Sequence, residues 1–183
     1  MPRRWKALII WIAVPYAFGT LILTFIEALS VNRLAYWWNW SFNLRQLAAN
    51  LLFCAVQGSL GTLGLWLLPI RRFWIGTIAG GVFAAGFIVG AAKLAMLFYG
   101  GFEENIGIVL AAFNFLLPSC CAGVIAGFLR FKDGQVPAAV TPSESAGHLG
   151  AGLFHRERRY IRIMLSVIVG IWIALLFRIL KWW

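Results

Sequence analysis

Apolar residues occupy this sequence in five long blocks separated by polar, glycine-rich or aromatic junctions. Each block reaches the ~20 residues that carry a helix, at 1.5 Å per residue, across the hydrocarbon core of a bilayer. The pattern predicts helices over about 7–29, 44–68, 73–99, 106–129 and 161–180. The expected fold is therefore an all-α integral membrane protein, a bundle of five transmembrane helices forming one domain over residues 1–183.

The block Phe73 to Tyr99 is expected to organise the rest, because its only charge is Lys93 and glycines recur along it at helical spacing. At about 100° per residue, Gly76, Gly80, Phe83, Gly86, Gly90, Lys93 and Leu97 share an arc of roughly 140°. Gly76/Gly80 and Gly86/Gly90 are small-xxx-small pairs of the kind that let two helices approach closely in lipid. Lys93 lies at the edge of this face and is expected to point into protein. The second block ends at Pro69, and Ile70-Arg71-Arg72 leaves only a tight turn before the third. The two helices should be antiparallel neighbours, with Gly58, Gly61 and Gly64 meeting the glycine face of the third.

The junctions fit the same scheme. Tyr36, Trp37, Trp38 and Trp40 suit the headgroup level, as do Trp182 and Trp183. Pro15 and Pro118 fall inside spans, where a kink is expected. The opening MPRRWK followed by an apolar run resembles a signal peptide, but the run from Ala7 to Leu29 is too long for one and reads as a retained first helix. Residues 130–160 are rich in Pro, Gly, Ser and Ala without a period and read as a flexible cytoplasmic loop.

With 62% hydrophobic and 12% charged residues and a mean hydropathy of +0.84, the chain is far from the composition of a water-soluble domain. The net charge of +10 would suggest nucleic acid in a soluble protein. In a membrane protein it sets orientation and attracts anionic headgroups, so no nucleic-acid partner is expected. Arg3, Arg4, Lys6, Arg71, Arg72, Arg130, Lys132, Arg156, Arg158, Arg159 and Arg162 fall on one side of the five-span threading. Arg33, Arg45, Arg178 and Lys181 fall on the other. The excess puts the N-terminus in the cytoplasm and the C-terminus outside, in a bacterial inner membrane.

Candidate chemistry is sparse. Counting along the helices places Glu27, Asn50, Lys93 and Asn114 in one layer in the outer third of the bilayer, with Gln57 deeper. A charge at that depth is costly unless paired or wet, which makes Lys93 a candidate ligand or ion site with Glu27 as its partner. Glu103 or Glu104 is a looser alternative. The plainer reading is that Lys93 snorkels to the headgroups. Asn50, Gln57 and Asn114 would then cross-link helices for about 0.6 kcal/mol each.

Arg156, Arg158 and Arg159 form a juxtamembrane run suited to anionic lipid. No metal site is expected from His148 and His155, which lie in the loop. Cys54, Cys120 and Cys121 have no CxxC spacing and behave as small apolar residues. The sequence has neither HExxH nor GxSxG and implies no particular cofactor. It best suits a non-enzymatic subunit or scaffold of a membrane complex, partnered by other subunits or by its own copies. A small permease or channel component with an outward-facing polar pocket is the alternative, and a lipid- or quinone-modifying enzyme fits least.

Overall fold

The computed structural model describes residues 2–30, 40–99, 106–135, 159–171 and 173–174, and among these every regular element is an α-helix. Four helices are long and apolar enough to cross a membrane: α1 (Arg3–Ser30), α2 (Trp40–Leu67), α3 (Phe73–Tyr99) and α4 (Ile106–Gly134). The fifth block is helical over residues 159–171 (α5). Its remainder lies largely outside the described residues, and with it the fifth crossing and the C-terminal anchor.

The centre of the bundle is α4 rather than α3. Half of the α4 span is buried, against 11% of the α3 span and 28% of those of α1 and α2. α3 packs along one side of α4, α1 packs along α4 and α2, and the direct contact of α2 with α3 is thin. The tight turn 68–72 joins α2 and α3 as expected, and Gly64 lies against the Phe83 ring, yet the glycines of the two helices do not pair with one another. Gly76 and Gly80 instead pack on Gly127 and Gly123 of α4. A Cβ added at Gly80 would run into the carbonyl oxygen of Gly123, and one at Gly123 into that of Gly80; Gly76 and Gly127 are related in the same way. No side chain separates the two backbones there, and this close approach is what holds helices together where lipid removes the hydrophobic drive.

Two glycines of α2, Gly58 and Gly61, serve α1. Gly61 makes room for the Trp11 indole, which is fully buried, and Gly58 lies against Ile12 and the Trp11 backbone. Pro15 lacks an N–H, so the Trp11 carbonyl loses its intrahelical partner at that contact. On the α1–α4 side, Gly19 abuts the Phe115 ring. Phe53 completes the upper core, with ring centroids 5.3 Å from Phe87 and 5.5 Å from Phe115, linking α2, α3 and α4.

One end of the bundle gathers the start of α1, the α2–α3 turn and the end of α4. Arg130 donates from Nε to the Leu65 carbonyl and from NH2 to the Leu68 carbonyl, both at 3.2 Å. Each of these carbonyls, at and just past the end of α2, already accepts one backbone N–H, from Leu68 and Ile70 respectively, and Arg130 adds a charged donor from α4. Arg3 does the same for α4 by donating to the Lys132 carbonyl. The Trp66 indole donates to Asp133 at 3.3 Å and lies 5.8 Å under the Arg130 guanidinium.

This network explains why α4 continues to Gly134, where a loop was expected from residue 130. Phe131 extends the apolar face into the core, 6.2 Å from Phe73, and Arg130 and Lys132 sit where a helix C-terminus favours cations. α5 starts at the same end, with Tyr160 stacked 6.0 Å from Phe73.

Candidate functional site

The buried amides expected from the sequence are inside the bundle, each in a different bonding state. Asn50 is buried and its Nδ2 donates to Thr20 Oγ1 at 3.4 Å, a weak α1–α2 link. Gln57 is 1% exposed; its Oε1 accepts from Ser119 Oγ at 3.1 Å, joining α2 to α4, while its Nε2 has no hydrogen-bond partner. Asn114 is equally buried, and neither end of its carboxamide is bonded. The Trp11 indole N–H and the Thr62 hydroxyl are likewise buried and unbonded. An orphaned buried polar atom costs about 1–3 kcal/mol, so such atoms mark places where packing alone did not choose the residue.

Lys93 departs from expectation. Its side chain is exposed on the flank of α3 rather than directed into the bundle. Gly86 and Gly90, on the same face, have open space where a Cβ would stand. The reason is the pitch of the contact row. α3 meets α4 along Gly76, Gly80 and Ala84 and buries Ile88 one turn further on. Residues four apart drift by about 40° around a helix, so by Ile88 the covered face has rotated roughly 160° away from Gly90. The first glycine pair packs within the chain and the second faces outward.

Glu27 belongs to α1, which is not among the helices packed closely on α3. Its side chain lies outside the described residues, as do Arg156, Arg158, Glu103 and Glu104. The layer of Glu27, Asn50, Lys93 and Asn114 is therefore not one pocket around the lysine: Asn50 and Asn114 are interior and Lys93 is peripheral. Arg159 is exposed at the start of α5, near the basic end.

What the structure builds instead is a groove of about 680 Å³ between α2 and α3. Its floor carries the small residues Gly61, Ala79 and Gly86, and its walls include Leu60, Ile78, Val82 and Phe83. Gln57 is its one amide. Its lining is apolar apart from that carboxamide, and its size is within the range of ligand pockets. Among the described residues no group of His, Cys, Asp and Glu could hold a metal.

Two residues that the sequence reading passed over matter here. Ser119, fully buried, orients Gln57; its signal was the row Ser119, Gly123, Gly127 at four-residue spacing. Arg130 was counted only as a loop charge, and nothing local distinguishes it from its basic neighbours. A scan against models of known protein families and searches of curated proteins and solved structures found no match to this chain.

Proposed function

We propose that the protein is a non-enzymatic structural subunit of a membrane assembly, held in a bacterial inner membrane with its basic end toward the cytoplasm. One observation carries this reading. The chain has two small-xxx-small pairs on α3, uses Gly76/Gly80 to clasp α4, and leaves Gly86/Gly90 bare on an apolar flank. A second helix-packing surface of the same design, unused within the described chain, is suited to a further helix. The exposed Arg4, Lys6, Arg71, Arg72, Arg159 and Arg162 lie on segments that converge at the capped end, which supports contact with anionic headgroups there.

The test is gentle extraction and purification of the full chain. A co-purifying membrane subunit at fixed stoichiometry is expected, and it should be lost from Gly86→Ile and Gly90→Ile variants whose own helices stay intact. A monodisperse lone chain that moves a solute across vesicle membranes would refute it. That outcome would favour the small-permease reading, whose support is the unbonded interior carboxamide of Asn114. Asn114→Leu should then abolish the flux.

A further inference from the structure

The structural-subunit reading does not say what docks on α3, and three features of that flank narrow the answer. Resting on that reading, we infer that the α2–α3 groove and the Gly86–Gly90–Lys93 stripe receive one transmembrane helix of another protein, which carries a carboxylate level with Lys93.

The first feature is the floor. Ala79 and Gly86 line the groove, and on the wheel Gly90 and Lys93 continue the same face toward the outer end of α3. A helix seated on Gly86 and Gly90 would meet no Cβ. The second is Gln57. Ser119 holds one end of its carboxamide, and the other, buried and unbonded, belongs to a side chain lining the groove. Gln57 sits about 16 Å along α2 from Leu68, near mid-membrane, well below the ester carbonyls of the headgroup region. A helix side chain or a helix carbonyl can bring an acceptor to that depth.

The third feature is charge. Lys93 stands six residues inside Tyr99, about 9 Å from the end of α3, on the face left open. A cation at that depth is costly unless paired or wet, and the described side chains place no carboxylate beside it.

The same charge excludes the nearer occupants. In a symmetric pair that packed this stripe against the same stripe of a second copy, the two Lys93 ammonium groups would oppose each other. The chain's own last block contains no Asp or Glu from Arg159 to Trp183. A foreign helix bearing small residues at four-residue spacing and one Glu or Asp answers all three features.

The experiment uses the full-length protein in phosphatidylcholine vesicles at neutral pH. Its probe is a fluorescent 24-residue Leu/Ala peptide with glycines four apart and one Glu placed level with Lys93; energy transfer reports binding. The Glu peptide should bind, and Lys93→Met, or Gln in place of the peptide Glu, should weaken binding about five- to thirtyfold, the range for polar contacts between model helices. Gly86→Ile should remove it, and Lys93→Glu should restore binding to a peptide carrying Lys instead of Glu. Binding indifferent to Lys93, absence of peptide binding, or energy transfer between two copies that Gly86→Ile abolishes would each overturn the inference. The structural-subunit reading fails separately: a fixed-stoichiometry complex that survives Lys93→Met sinks the proposed site and leaves that reading standing.

Discussion

Gly80→Ala and Gly86→Ala make the same chemical change six residues apart on one helix, and the structure gives them opposite signs. At Gly80 the new methyl would enter the Gly123 carbonyl oxygen. The neighbouring Gly76 site shows the displacement required: a Cβ there would lie 2.5 Å from the Gly127 oxygen, so α3 and α4 must part by roughly 1 Å to reach an ordinary contact. A gap of that size forfeits about a quarter to a half of the dispersion energy along the seam. Overpacking of this kind costs about 1–3 kcal/mol.

At Gly86 nothing stands within 4 Å of the new methyl. Replacing Gly by Ala in a helix gains at most ~1 kcal/mol, and less if the unfolded state in detergent stays helical. Unfolding of the purified chain in mixed micelles, titrated with SDS and followed by tryptophan fluorescence, measures both. Gly80→Ala should lower the midpoint and Gly86→Ala should leave it unchanged or raise it. Equal destabilisation at the two sites, or a silent Gly80→Ala, would refute the α3–α4 contact described above.

Other expectations follow from single contacts. Arg130→Met should cost about 1–3 kcal/mol, because two carbonyls at the end of α2 lose a charged donor; faster amide exchange at Leu68 and Ile70 would localise the loss. Ser119→Ala should destabilise by about 1–3 kcal/mol by stranding the whole Gln57 carboxamide, and adding Gln57→Leu should recover most of it in the same SDS titration. Gly61→Leu should prevent α1 from seating on α2, since even a Cβ there overlaps the Trp11 ring, and a collapsed tryptophan emission band would report it. Cys54, fully buried, should resist maleimide in mild detergent and react only after denaturation.

The existence of the four long helices was legible because block length against bilayer thickness is a one-dimensional question. α3 was read from Phe73 to Tyr99 as it stands. Partner choice was less accessible. The sequence showed four glycines on one face of α3 and several on α2, but which face meets which helix depends on the pitch of the contact row and on where α4 lies. The arc containing Gly76 and Gly90 was drawn as one face; the actual seam turns away from it within three turns. Lys93 was misplaced for the same reason. The end of α4 was missed because Phe131 and Arg130 gain their helical support from Phe73, Leu65 and Leu68, residues more than fifty positions upstream.

The reach of Arg130 back to α2 bears on how the molecule is made. Ribosomes deliver α2 and α3 well before α4, so during synthesis the hairpin's turn waits at the bilayer surface with its last carbonyls hydrated. The clasp closes only when the fourth segment has emerged. A nascent chain released before residue 130 should therefore remain a substrate for membrane quality control, and one extended past Gly134 should exchange its Leu68 and Ile70 amides more slowly.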